Sequence, residues 1–202
     1  GTDAVVHLAA IVGDPACAYE EELAINVNLK ATDQLIDLCG KNGVKRFLYA
    51  STCSVYGASK EAVDEQSPLN PVSLYARTKI EAEHNIISNM ATNVSPVIAR
   101  LSTICGLSPR PRFDLVVNLL AAQATINKSF TIFGGEQWRP FIHVRDAAKA
   151  LLELLKSPEE KINRQIFNIG SNQFNLRLID LGNIITNLFS DAYMNISRHD
   201  ED

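Results

Sequence analysis

The stretch Ser51-Thr52-Cys53-Ser54-Val55-Tyr56-Gly57, taken with Tyr75-Ala76-Arg77-Thr78-Lys79, constrains the fold more than any other part of the chain. The run from Val44 to Ala50 that leads into it reads as a buried strand ending on small hydroxyl residues. The second stretch opens a periodic helix from Ser73 to about Met90. Side chains four apart share a helix face, so the Tyr75 phenol and the Lys79 ammonium can reach one ligand together. A strand end facing such a helix sets Thr52, Tyr75 and Lys79 inward.

That trio suits proton transfer. A free phenol has a pKa near ~10 and is a poor base at neutral pH. A nearby ammonium favours the phenolate and lowers that pKa. A hydroxyl such as that of Thr52 can hold the oxygen that gives up the proton. A Tyr followed four residues later by a Lys is commonplace on solvated helices, so the pair takes its meaning from the residues around it.

Those residues form a series. Ser-Thr-Cys-Ser-Val-Tyr-Gly followed by Tyr-x-x-x-Lys resembles the catalytic core of extended short-chain dehydrogenases/reductases. Within them it resembles the NAD-dependent epimerase/dehydratase group, which acts on nucleotide sugars. The resemblance runs from His7-Leu8-Ala9-Ala10 to Phe167-Asn168-Ile169-Gly170. It implies an α/β fold: a Rossmann-like parallel sheet with flanking helices and part of a small C-terminal substrate domain. Residues 1–108 and 141–172 would form the cofactor part, and 109–140 and 173–202 the substrate part. Catalytic roles are implied for Thr52, Tyr75 and Lys79. Cofactor contacts are implied at Leu8, Ala9, Ala10, Asn28, Thr52, Tyr75, Lys79 and Ser102, and substrate contacts at Thr103, Arg112, Thr131, Phe133 and Arg139. The implied cofactor is NAD, with NADP open because the discriminating residue belongs to a motif this sequence lacks. The implied partner is a nucleotide-diphosphate sugar, and the whole protein is expected to be a cytoplasmic homodimer.

The sequence departs from the family at informative places. In Arg100-Leu101-Ser102-Thr103-Ile104-Cys105-Gly106, Thr103 replaces an Asn and Cys105 an aromatic residue. In Trp138-Arg139-Pro140-Phe141-Ile142-His143, Pro140 replaces an acid, while Arg139 keeps the fork that suits a diphosphate. Cys53 and Ser54 stand where dehydratases typically carry Asp-Glu. Epimerisation at C4 through a transient 4-keto sugar is therefore expected first, with a reductase or dehydratase of the same family as alternatives. The sequence contains no GxGxxG turn of the kind that cradles a pyrophosphate, and Gly134-Gly135 is an isolated pair. In the family the His-Leu-Ala-Ala strand is the fourth, so two βαβ units, on the order of 60 residues, are expected ahead of Gly1. Further substrate contacts are expected beyond Asp202. A non-catalytic binding module is a third reading, because a chain without the pyrophosphate turn grips NAD weakly.

Elsewhere, Gly13-Asp14-Pro15 signals a turn, and Glu20 to Lys41 reads as one helix with Leu23, Val27, Ala31, Leu35 and Leu38 along its covered face. Asn28 on that helix is expected near the nicotinamide by resemblance. Arg110 and Arg112 occupy a Pro-interrupted loop and can meet phosphates. Asp146 is expected to cap the helix that runs to Lys156, and His143 to be a core residue of an apolar strand. A net charge of −4 gives no electrostatic reason to expect nucleic acid or an anionic membrane as partner. No apolar run has the length of a membrane span. Cys17, Cys39, Cys53 and Cys105 lack CxxC spacing and read as free thiols of a reducing compartment, with no metal site.

Overall fold

Apolar residues fill Arg46–Thr52 and Ser95–Leu101 almost without interruption, the pattern of parallel strands covered on both faces. The computed structural model describes residues 1–59 and 61–197; residues 198–202, placed by the sequence in the substrate part, lie outside the described residues. The strands are β1 (Ala4–His7), β2 (Arg46–Thr52), β3 (Ser95–Leu101), β4 (Thr103–Cys105), β5 (Ser129–Phe133), β6 (Trp138–His143), β7 (Gln165–Ile169), β8 (Asn175–Arg177) and β9 (Tyr193–Ser197). The α-helices are α1 (Asp14–Tyr19), α2 (Glu21–Ile25), α3 (Ala31–Lys41), α4 (Leu74–Asn89), α5 (Val116–Asn127), α6 (Val144–Lys156), α7 (Glu159–Ile162) and α8 (Leu178–Leu188).

Two compact units result: Gly1–Leu101 with Ala148–Ile169, and Ser102–Ala147 with the described residues from Gly170 onward. In the first, four parallel strands run in the order β1-β2-β3-β7, with Thr52 opposite Leu101 and Leu101 opposite Ile169. Successive strand residues point to opposite faces. Phe47, Tyr49 and Ile98 accordingly pack with Ile36 and Cys39 of α3 and with Ala82 and Ile86 of α4. Leu48, Val97 and Ala99 pack on the other face with Leu154 of α6 and Ile162 of α7. This is a doubly wound, Rossmann-like α/β arrangement.

The helix expected over Glu20 to Lys41 is instead α2, a π-helical turn at Asn26–Lys30, and α3. Its buried row is Ala24, Asn28, Thr32, Ile36 and Cys39, whereas Leu23 and Leu38 are 45% and 52% exposed. The buried row is the expected one displaced by one residue throughout, already at Ala24 before the π turn, so smaller and polar side chains face the core where the larger apolar ones were expected. Helix α4 matches its expected limits. Ser73 Oγ accepts the Ala76 N–H at 3.2 Å at its N-terminus, and Ala76, Lys79, Glu83 and Ile86 are on its covered side.

In the second unit β6 pairs in parallel with β4 and antiparallel with β8, while β5 pairs in parallel with β9. The pairing of β9 was not legible beforehand. Helices α5 and α8 close over a core of Leu120, Ala124, Phe130, Ile132, Phe141, Leu181 and Ile185. Helix α6 begins at Val144, so Asp146 lies in its first turn and is not the cap. His143 is exposed, not a core residue, and its Nδ1 accepts the Arg145 N–H at 3.2 Å. Because β4 and β6 pair with one another, 102–108 and 141–147 pack in the second unit, a partition by packing that differs from the functional division expected at 108/109 and 140/141. Among the described residues no helix is long and apolar enough to cross a membrane.

Candidate active site

Thr52 ends β2 with its side chain folded into the following 3-10 turn, Cys53–Tyr56. Its Oγ1 accepts the Ser54 N–H at 3.1 Å and lies 3.1 Å from Ser54 Oγ. The chain leaves the turn at Gly57 with φ 66°, where any Cβ would collide with the Asn70 carbonyl. The Asn70 N–H donates to the Val55 carbonyl at 3.0 Å, so the loop that precedes α4 is stitched to the turn after Thr52.

From that start α4 carries Tyr75, half-buried, and Lys79, 3% exposed. Lys79 Nζ stands 4.0 Å from the centroid of the Tyr49 ring on β2, a cation–π contact. Burial pulls the Lys79 pKa down to about 8, against the Glu83 carboxylate, which holds it up. The Tyr49 hydroxyl is buried without a hydrogen-bond partner. Its pKa is pushed up by burial, then by the charges of Tyr75 and Glu83. Tyr75 and Lys79 thus meet around one strand residue that the sequence did not mark. On the far side His7 Nε2 lies 2.9 Å from Thr32 Oγ1, and burial followed by the Lys79 charge lowers the His7 pKa.

Behind the pair runs a buried polar network. Arg100 Nη2 donates to Glu83 Oε2 at 2.7 Å, and Arg100 Nε to Oε1 and Oε2 at 3.1 and 3.2 Å. Ser51 Oγ donates to the same carboxylate. Arg100 Nη1 donates to the Tyr56 hydroxyl at 2.8 Å, which donates to Asn168 Oδ1 at 2.7 Å. The Asn168 N–H donates to Glu65 Oε1 at 2.6 Å. Burial works against the Arg100 charge, and Glu83 and Tyr56 more than offset it, leaving its pKa above the ordinary value. The sequence did carry a signal for Glu83: it repeats the Tyr75-to-Lys79 spacing on a row that is otherwise covered.

The remaining sites are distributed as follows. Leu8, Ala9 and Ala10 form the loop after β1, with Leu8 57% exposed. Asn28 is 1% exposed, and its amide is engaged with that loop. It accepts the Ile11 N–H at 2.8 Å and donates to the Ile11 carbonyl at 2.9 Å. Its visible work is to hold the loop in place. Ser102 is buried against Gly170, where a Cβ would strike Ser102 Oγ. Thr103 pairs with Phe141 in the second unit. Arg112 is bound to the Asp114 carboxylate and holds its pKa down. Thr131 and Phe133 lie on the face of β5 opposite the buried Phe130 and Ile132. Arg139 is exposed, with one hydrogen bond, Nη1 to the Trp138 carbonyl at 3.1 Å. Among the described residues no group of three or more His, Cys, Asp or Glu is placed to hold a metal.

Residues 1–170 match the model of the NAD dependent epimerase/dehydratase family. An uncharacterized UDP-glucose epimerase, YtcB of Bacillus subtilis, is 32% identical over 181 residues, covering 84% of this chain and 54% of the relative. The dTDP-D-glucose 4,6-dehydratase of Mus musculus is 32% identical over 193 residues, covering 94% and 53%. The chain spans about half the length of these curated relatives. The UDP-glucuronic acid 4-epimerase from Bacillus cereus, solved with UDP-glucuronic acid and NAD, superposes with a TM-score of 0.83 at 28% identity, over 97% of this chain and 62% of that one. MoeE5, solved with UDP-glucose and NAD, gives 0.83 at 27% identity over 97% and 66%. The chain belongs to the NAD-dependent epimerase/dehydratase family.

Proposed function

We propose that the whole protein is a nucleotide-sugar 4-epimerase using NAD or NADP, with Tyr75, Lys79 and Thr52 as its catalytic set. The observation that carries this is the buried Lys79 ammonium, held over the Tyr49 ring one helical turn from Tyr75. A buried cation gains from a ligand that supplies acceptors. The hydroxyls of a nicotinamide ribose fit that need, so these residues suit the nicotinamide half of the cofactor. Bound NAD would supply reversible hydride acceptance and return at sugar C4. The chain's own residues do the rest. Tyr75 takes the proton from O4 as a phenolate stabilised by Lys79 and gives it back. Thr52 turns its hydroxyl from Ser54 to O4 and orients it. Cys53 and Ser54 offer no carboxylate after Thr52, which favours epimerisation over loss of water.

Residues 1–108 and 141–172 would serve the cofactor, with Leu8, Ala9, Ala10, Asn28 and Ser102 contributing contacts. Residues 109–140 and 173–202 would serve the nucleotide-diphosphate sugar through Thr103, Arg112, Thr131, Phe133 and Arg139. Arg139 is better placed than Arg112 for a phosphate, because Arg112 is already bound to Asp114. The outward Leu23 and Leu38 are apolar surface that a second copy would cover, in keeping with a homodimer. No disulfide joins Cys17, Cys39, Cys53 or Cys105, in keeping with a reducing compartment such as the cytoplasm. The test is incubation of the whole protein with a nucleotide hexose. The C4 epimer without net change in NADH absorbance is expected, and a 4-keto-6-deoxy product would overturn the assignment. The 202-residue chain by itself, lacking a pyrophosphate turn in its sequence, is expected to show no micromolar NAD affinity by calorimetry.

A further inference from the structure

We propose that Glu83 is the positioning residue of the Tyr75–Lys79 pair: its carboxylate balances the buried Lys79 charge and fastens α4 to the strand end that carries Thr52. The proposal rests on the catalytic reading of that pair. Glu83 lies four residues after Lys79 on the covered side of α4 and is 4% exposed. A carboxylate at such a place is costly to bury, and an apolar side chain would pack there without that cost. It is held from two strands, by Ser51 of β2 and by Arg100 of β3. Ser51 immediately precedes Thr52, and Arg100 continues to Tyr56 at the end of the turn after Thr52. One side chain therefore sets both the helix bearing the base and the strand end bearing the hydroxyl.

The groups around Lys79 show why charge matters as well as position. His7 faces it from β1, Tyr49 from β2, and Tyr75 and Glu83 share its helix. Asp33 of α3 meets α4 further along, at Asn85, 2.9 Å away. Of the groups that act on the Lys79 ammonium, Glu83 is the carboxylate. Its field opposes the burial that would strip the proton.

The test reads Lys79 directly and needs neither cofactor nor turnover, so it stands apart from any failure of the catalytic reading. The chain is labelled with 13C at lysine Cε, and the Lys79 resonance, assigned by its loss in Lys79→Met, is titrated. A midpoint of about 8 is expected in the unaltered chain. Glu83→Gln keeps the shape and removes the charge, and is expected to lower that midpoint by about one pH unit, roughly tenfold in acidity. Ser51→Ala removes a Glu83 contact and leaves the charge, and is expected to hold the midpoint within ~0.3 of a unit. An unchanged midpoint in Glu83→Gln, or an equal fall in Ser51→Ala, overturns the proposal. Should Glu83→Gln not fold, Glu83→Asp replaces it, with the carboxylate drawn back by one methylene. A lowered midpoint there supports the proposal, and an unchanged one overturns it.

Discussion

The two units treat charge in opposite ways. In the first, the Arg100–Glu83 pair has side chains only 3% and 5% exposed and every charged atom is tied to a neighbour. In the second, Arg177 bonds Asp180 and Glu136 at the surface, and Arg139 stands exposed on β6. A buried pair is held by mutual dependence, since removing one partner strands the other away from water. Exposed pairs exchange freely with solvent and hold little in place. The first unit therefore holds its charges in fixed positions, while the second leaves its ion pairs open to solvent.

The largest test of that contrast is at the base itself. In the whole protein Tyr75→Phe keeps the ring and removes the ionisable oxygen, so turnover should fall roughly 10² to 10⁴-fold, the usual contribution of general acid–base catalysis. Cofactor affinity, measured alongside by calorimetry, should change little. Near-normal turnover would falsify the central assignment.

Next comes the buried pair. Arg100→Leu leaves Glu83 without its bidentate partner and should cost about 3–5 kcal/mol in denaturant unfolding. A loss no larger than that of a surface charge would erase the distinction between the two units.

A third effect is set by pH. The folded Lys79 pKa, about 8, lies below the ordinary lysine value of 10.5, so the folded state binds its proton less tightly than the unfolded chain. Folding carries the full penalty below pH 8, and stability rises as pH increases from about 8 towards 10.5. The gain is on the order of 3 kcal/mol. Subtracting the Lys79→Met pH–stability curve from that of the unaltered chain isolates it, and a flat difference would show that Lys79 titrates normally. In turnover, Lys79→Met should move the acidic limb upward, because the Tyr75 phenolate loses its cation and stays protonated to higher pH.

The smallest effect is expected at Arg177. Arg177→Met removes two surface ion pairs and should leave the unfolding midpoint nearly unchanged, whereas a drop comparable to that of Arg100→Leu would mean that the second unit is wired as tightly as the first.

What the sequence determined by itself was whatever local pattern and short motifs encode. The strand ending at Thr52 and the helix from Ser73 with Tyr75 and Lys79 on one side follow from local pattern and helical spacing, and the parallel α/β class from the resemblance that the short motifs carry. Tertiary structure decided the rest. Packing against the sheet and α4 chose the row Ala24, Asn28, Thr32, Ile36 and Cys39 over the adjacent row with Leu23 and Leu38, a choice between two α-periodic faces that the local pattern did not settle. The partner of β5 is β9, more than 60 residues later, and local composition says nothing of that pairing. Glu83, Arg100, Tyr56 and Asn168 come from a helix, a strand, a turn and another strand, and each taken alone is an ordinary polar residue. Their meaning lies in meeting where water is scarce, because only there does an unpaired charge cost enough to fix its neighbours. Burial is a property of the folded chain, and so the acidity of Lys79, unlike its position, was not legible in the sequence.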